Sequence, residues 1–376
     1  MTFEGSDAIV IGGGLHGLSS ALHLARKGLK VTLLEQSYIG RHASGGSAAG
    51  VRTLNRAFEE LPIAFEAMDM WHNMEAFIGD DCGFHADGQI MIAQKSSELN
   101  ILETRLKASR ANGFDHEELI DGAELRRLVP NLNANYKGAL IVRDDGAADP
   151  HRTIRAFQRN AEKAGVVIKQ GHRVSRAKRV GSDWVLTADG AKFSAPFIIN
   201  AAGAWASQVA SLFGDDIVLG HKASMMIVTE RVAPLLKPVI SLAGQKLSFK
   251  QTDKGTLLIG GGRQGWADVK AQKSSVNFQE LAKSVSAAAE LFPIIKSVQI
   301  VRTWAGIEAK TEDLLPVIGA SFTADGVYHA FGFSGHGFQL VPVVGAIISD
   351  LVTKGKTERK IDSFSAKRLK KHEFAA

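Results

Sequence analysis

The apolar positions of this chain come in short runs separated by longer stretches of helical spacing. Ala8–Ile11 is a four-residue apolar run, the length and composition of a buried parallel strand. A helical pattern follows, and a second apolar run, 31–34, ends at Glu35. Leu61, Ala64, Phe65, Met68 and Trp71 put one apolar face on a helix within 55–77. Residues 83–93 read as strand material with a turn at Asp87-Gly88, and 97–112 as a helix stopped near Gly113. Beyond Pro150, 151–164 is helical and 166–180 supplies two strands. Segments 184–188 and 192–195 pair as a hairpin around Asp189-Gly190. Residues 197–206 form a buried strand that breaks at a small-residue turn. The stretch 221–262 is strand-rich, 276–290 is helical, and 327–352 closes as strand, glycine loop and helix.

Nucleotide-fold patterns thus stand at both ends and in the middle, with strand-rich segments between them. This predicts an α/β protein: a doubly wound, discontinuous nucleotide-binding domain over 1–80, 146–215 and 306–376. A second, α+β domain built on an antiparallel sheet is inserted as 81–145 and 216–305.

The first turn carries the chemistry. Gly12-x-Gly14-x-x-Gly17 sits between strand and helix, and Glu35 lies eighteen residues beyond Gly17. Gly12 permits the tight turn, Gly14 lets backbone approach a pyrophosphate, and Gly17 lets helix and strand pack closely. Gly13, Leu15 and His16 complete the phosphate-facing stretch, where free N–H groups and the positive helix end favour anions. Glu35 is placed to accept from ribose hydroxyls and to repel a 2′-phosphate. Glycine-rich turns alone are common; strand, glycines, helix, strand and acid in register are specific.

The 376 residues suffice for two domains, and 45% hydrophobic with 22% charged residues fits a globular chain. No run reaches the roughly 18 apolar residues needed to span a membrane, so no transmembrane segment is expected. The first strand starts almost at once, leaving no room for a signal peptide, which points to the cytoplasm. One cysteine, Cys82, excludes an internal disulfide and a cysteine-rich metal site; no metal is expected. The net charge of +6 and pI near 9.3 draw partly on the basic segment 354–376, read here as a solvated terminus. That segment has no interleaved aromatic platform, so no nucleic-acid partner is expected. Anionic ligands suit a basic protein.

The stretches GGGLHGLSSALHLA, LLEQSYIGRHASGGSAAGVR, IINAAGAWA, WAGIEAKTEDLLPVIG and FGFSGHGFQLVPVVG resemble the D-amino-acid oxidase-like superfamily of FAD-dependent oxidoreductases. The resemblance spans essentially the whole chain, and the last two stretches look most like its opine and hydroxyproline dehydrogenase branch. It implies non-covalent FAD: a histidine precedes Ala-Ala-Gly in the dimethylglycine dehydrogenase group, and Ser47 stands there instead. It also implies that Gln36, Arg41, His42, Ala43, Ser44, Ala49, Gly50 and Val51 border the flavin nucleotide. Val174 would reach adenine through its strand backbone; Ala201, Ala202, Gly203 and Trp205 would graze the cofactor, as would Gly306. Gly335, His336, Gly337, Phe338 and Gln339 would bring a helix N-terminus to the flavin, where charge develops on reduction.

The same resemblance implies oxidation of a C–N bond in a small anionic amino or secondary amino acid: a D-amino acid, hydroxyproline, sarcosine-like compound or opine. Hydride would pass to flavin N5 and leave an imine. Such a substrate needs a cationic clamp for its carboxylate. Arg52, after the flavin loop, and Arg302, on a strand running toward it, are the candidates, and Trp304 is a candidate pocket floor. Lys250 is a candidate flavin neighbour that promotes reaction with oxygen. Gln339 replaces a lysine that monomeric sarcosine oxidases use on the carboxylate. His336 is a candidate base. Two alternatives remain: oxidation of a hydroxy acid or polyol phosphate, using His336 or His329, and service as the flavin subunit of a heteromeric dehydrogenase with a partner electron acceptor.

Overall fold

The computed structural model describes residues 4–134 and 136–370. Ala8–Ile11 lies in a six-stranded sheet ordered Val317–Ala320, Val327–Phe331, Phe197–Asn200, Ala8–Ile11, Val31–Glu35, Val167–Gln170. All neighbours are parallel except the Val317–Ala320 edge. The all-apolar runs are explained by burial on both faces. Ala8 and Val10 pack on the helices, while Ile9 and Ile11 pack on a second sheet with Leu186 and Phe193. Helix Leu15–Arg26 packs between Pro150–Lys163 and Gly337–Lys354 on the helical face. The opposite face is covered by the four-stranded sheet containing the expected hairpin, whose Asp189 and Gly190 both have positive φ, 45° and 85°, as a two-residue turn requires.

Gly337–Lys354 is long and apolar enough to cross a membrane, but 72% of it is buried inside the fold, marking a core helix. Residues in the basic C-terminal segment are folded, not free: Phe364 is fully buried and Arg368 pairs with Asp313 at 2.7 Å. The lysines of the segment, Lys354, Lys356, Lys360, Lys367 and Lys370, nevertheless stay exposed, so the solvated reading holds for its charge and not for its backbone; 371–376 lie outside the described residues.

The third large sheet has eight strands, ordered Ile300–Lys310, Gly220–Arg231, Thr256–Gly260, Ser248–Gln251, Val239–Leu242, Gln89–Ala93, Gly138–Val142, Glu118–Asp121. Its pairs are antiparallel except Val239–Leu242 with Gln89–Ala93. That parallel pair joins two chain segments far apart in sequence, where no hairpin dictates direction, so the sheet is mixed, not purely antiparallel. Helix Phe278–Leu291 buries its apolar face against it. The expected helix within 55–77 is two helices, Leu61–His72 and Met74–Ile78, joined at Asn73. The stretch before Leu61 is a loop, and it carries Arg52 and Arg56 into the interior.

Candidate active site

A cavity of about 560 Å³ runs from the carboxyl ends of the parallel strands to the face of the eight-stranded sheet. At one end, Ile11 hands over to Gly12, whose φ is +113° and whose N–H donates to the Leu34 carbonyl at 2.8 Å. A Cβ on Gly12 would collide with the Ala201 carbonyl, and one on Gly17 with the Gly12 carbonyl. Gly14 meets only Ser44 Oγ, at 3.2 Å, so its open side faces the cavity. Glu35 turns back on this loop: one carboxylate oxygen accepts from Gly13 N–H and the other from Ser37 N–H, both at 2.7 Å. Burial raises its pKa, against the pull of those two bonds.

The middle is bordered by the small-residue loop around 41–50. Ser44 Oγ accepts from Leu15 N–H at 3.0 Å and pins the loop to the helix start. Gly46 passes 3.3 Å or more from Gly306 even with a Cβ added, so two backbones meet edge to edge. Trp304 donates to the Gly46 carbonyl at 3.0 Å; it buttresses the loop and does not line the cavity. His16 stacks on Phe333 at 3.6 Å, and His42 packs on Trp205. Burial pulls His16 down to about 3 and His42 to about 4, so both are neutral at pH 7. His16 Nδ1 and His42 Nε2 are buried with no protein partner.

The far end holds the charged groups. Arg52 donates to the Leu54 carbonyl, and among the described residues no carboxylate lies within ion-pair distance of it. Its loop is anchored by buried Asp145, which accepts from Thr53 N–H, Thr53 Oγ1 and Leu54 N–H at 2.7, 2.9 and 2.8 Å. Burial raises Asp145 to about 6. Glu117 accepts from Asn55 N–H at 2.7 Å and pairs with Arg105. Arg56 is paired with Glu60 at 3.2 Å and donates to the His336 carbonyl at 3.0 Å; burial brings it down to about 10. Lys250 donates to the Ala148 carbonyl at 3.0 Å, and burial lowers it to about 8. The His336 ring reaches 3.6 Å from Glu60, and burial lowers its pKa.

Of the residues singled out by sequence, all line this cavity except Gly17, Val51, Arg302, Trp304, His329 and Gln339. Gly17 is a packing glycine. Val51 alternates inward between Gly50 and Arg52 and is fully buried in the helical core. Arg302 departs from the expectation: it is exposed at the outer part of its strand, over the Trp304 ring at 5.7 Å, and is not brought to the cavity. Gln339 is also corrected: it is 0% exposed and donates to the Ala64 carbonyl at 2.6 Å between two packed helices. His329 is no candidate base, because it is sealed against Asp215 at 2.7 Å behind the parallel sheet. Sequence reasoning passed over Arg56, Lys222, Ser224 and Glu308, all cavity-lining. Glu308 was within reach, since it lies two residues from Gly306 on one strand and therefore on the same face.

A doubly wound sheet with a glycine cradle and acid at its strand ends, opening into a second sheet over a charged chamber, defines a dinucleotide-dependent oxidoreductase. The chain belongs to the FAD dependent oxidoreductase family, which it matches over residues 7–351. It is 26% identical over 379 residues to the beta chain of the sarcosine oxidase of Rhizobium meliloti (strain 1021), covering 97% of this chain and 88% of that one. It is 25% identical over 374 residues to one of the subunits of the opine oxidase of Rhizobium meliloti, covering 96% and 97%. Among solved structures, glycine oxidase from Geobacillus kaustophilus superposes with a TM-score of 0.90 at 23% identity, over 98% of this chain and all of that one. The cofactor is accordingly FAD. The residues present fit it: a Cβ on Gly14 would enter the cradle, and two unpartnered imidazole nitrogens border the same cavity.

Proposed function

We propose that this enzyme oxidises the C–N bond of a small amino or secondary amino acid to an imine. The observation that carries the reading is Arg52: a half-buried guanidinium on the cavity wall, bonded to a carbonyl and, among the described residues, to no carboxylate. A substrate carboxylate would complete its fork. Asp145 and Glu117 hold the loop that presents it. Bound FAD supplies the two-electron acceptor. Lys250, sealed at the chamber wall with its pKa near 8, is able to hold or release a proton in the neutral range. The similarity to sarcosine oxidase and opine oxidase chains supports an amine substrate.

In this reading segments 1–80, 146–215 and 306–376 carry the cofactor, and 81–145 with 216–305 cover the substrate. The two sheets draw on those segments respectively, except that Ile300–Lys310 runs across the junction. The flavin is held non-covalently: Ser47 lines the cavity where attachment would need a histidine, and Cys82 is buried elsewhere. Acid precipitation that leaves yellow colour in the pellet would overturn this. Service within a heteromeric dehydrogenase is the second reading, favoured because both relatives are named as subunits. Anaerobic bleaching of the flavin band by D-amino acids, prolines, sarcosine and opines tests the proposal. Bleaching by hydroxy acids alone would refute it, and reoxidation in air separates an oxidase from a dehydrogenase that needs a partner.

A further inference from the structure

Glu308 is an acid on the wall of the cavity that Arg52, Arg56, Lys222 and Lys250 also line. It stands on strand Ile300–Lys310, which pairs with Gly220–Arg231 so that Lys222 is its direct cross-strand neighbour. Such a pair would ordinarily neutralise itself. Here it does not: Lys222 Nζ donates to the Ser334 carbonyl at 2.8 Å, and no cation lies within ion-pair distance of Glu308 among the described residues. What Glu308 does receive is a hydroxyl. Ser224 Oγ–H donates to Oε1 at 2.5 Å. The direction of that bond is fixed, because Gln264 accepts from Ala223 N–H through its oxygen at 2.8 Å and donates its amide to Ser224 at 3.4 Å. The other carboxylate oxygen, Oε2, has no hydrogen-bond partner among the described residues and lies beside Gly335, on the loop that closes the chamber. A Cβ on Gly335 would sit 3.9 Å from it and 3.6 Å from Lys222 Nζ. Glu308, Ser224 and Lys222 all line the cavity that Arg52 lines.

We infer that Glu308, braced by Ser224, receives a protonated nitrogen of the substrate while Arg52 takes its carboxylate. This deepens the amine reading and rests on it. An anionic ligand alone would be repelled by a fixed carboxylate whose free oxygen faces the chamber, so the acid is a specificity element against simple carboxylic acids. The nitrogen is either the reacting amine, held as ammonium before it gives up its proton, or a second cationic group further along the substrate. Both are one chemistry, and two isosteric pairs separate them.

The test uses FAD-loaded wild type, Glu308→Gln and Ser224→Ala, with binding read from perturbation of the flavin spectrum. DL-alanine against propionate differs by the α-ammonium; DL-lysine against DL-norleucine differs by a remote one. Wild type is expected to favour the charged member of at least one pair tenfold or more, and Glu308→Gln to erase that preference while binding propionate as well or better. Ser224→Ala should fall between. Loss confined to the alanine pair assigns the reacting amine; loss confined to the lysine pair assigns a second cation. The inference is overturned if wild type favours neither charged member, or if Glu308→Gln keeps the preference within twofold. Flavin content and Tm matching wild type confirm folding. Bleaching is scored separately: an ammonium preference lost in Glu308→Gln, with no amine able to bleach the flavin, would sink the amine-oxidation reading and leave charge recognition standing.

Discussion

Two glycines of one motif should fail in different ways when each gains a methyl group. Gly14 has φ −76° and ψ 176°, a conformation open to any residue, and its added Cβ would touch only Ser44 Oγ at 3.2 Å. Gly14→Ala should therefore leave the FAD-free fold intact. Reduced freedom of the unfolded chain contributes about 0.4–1 kcal/mol, which offsets slight crowding at Ser44. Its methyl would nevertheless point into the cavity at the helix start and hold a pyrophosphate off the backbone. One charge-assisted bond lost there costs about 1.5–3 kcal/mol, or roughly 10- to 100-fold in FAD Kd. Gly17→Ala meets backbone instead: its Cβ would overlap the Gly12 carbonyl, well under the 3.0 Å that real Cβ atoms respect. Helix Leu15–Arg26 would have to lift from its strand, costing about 1–3 kcal/mol or more in the FAD-free protein itself. Urea unfolding of FAD-stripped protein and FAD titration by fluorescence quenching give the two axes. Wild-type FAD affinity in Gly14→Ala, or wild-type FAD-free stability in Gly17→Ala, would refute the division of labour.

Arg52→Gln should raise KM for carboxylate substrates about 10- to 100-fold, whereas Arg302→Ala should change neither kcat nor KM; the reverse pattern in steady-state kinetics would reinstate Arg302. Asp145→Asn turns an amide N–H toward donors that a carboxylate accepted, so Thr53–Asn55 should loosen and KM rise several-fold with kcat less affected; an unchanged KM would free Arg52 from this support. Lys250 is lowered from 10.5 to about 8 by burial, against the pull of Asp149 and Asp253, a net cost of about 3 kcal/mol; a Met there would leave the Ala148 carbonyl unpaired, which costs back about 1. Its folded pKa lies below its unfolded one, so the cost is fully present below pH 8 and fades as pH rises toward 10.5. Lys250→Met should thus be more stable than wild type by about 2 kcal/mol at pH 7, with the gap closing toward pH 10; a gap independent of pH would exclude burial of charge as its cause.

What could be read from the sequence was whatever has a local period or a local steric demand. The Ala8–Glu35 unit, the Asp189-Gly190 hairpin and the closing loop before Gly337 all declare themselves within a few residues. The errors have different causes, and for Arg302 it is that period and register give the face of an element, not where along its length a cavity ends. Arg302 has the same parity as Gly306 and Glu308, but four residues before Gly306 it lies about 13 Å down the strand, beyond the chamber wall. Gln339 sits in a helix-start motif whose backbone faces the cavity, yet its side chain points into the seam with helix Leu61–His72, a contact between residues 275 apart. Val51 was legible, since Gly50 and Arg52 on either side line the cavity and strand alternation sends it to the core.

The charge pattern explains why the chamber and the cradle belong to one cavity. Arg52, Lys222 and Lys250 each donate to a backbone carbonyl, while only Arg56 has a carboxylate of its own. Carbonyl oxygens satisfy donors but not charge, and the carboxylates that act on these cations, Asp145, Glu60 and Glu117 on Arg52 and Asp149 and Asp253 on Lys250, do so without an ion pair, so burial still carries a cost. Each anionic ligand that binds the folded chain and not the unfolded one lowers that cost, by an amount that grows as RT ln(1 + [L]/Kd). In the proposed reading, cofactor pyrophosphate and substrate carboxylate therefore contribute to the same electrostatic balance from opposite ends. Glu308 sets the sign of what lies between them: a ligand that is anionic throughout would satisfy Arg52 and then meet a fixed carboxylate, whereas a zwitterion satisfies both.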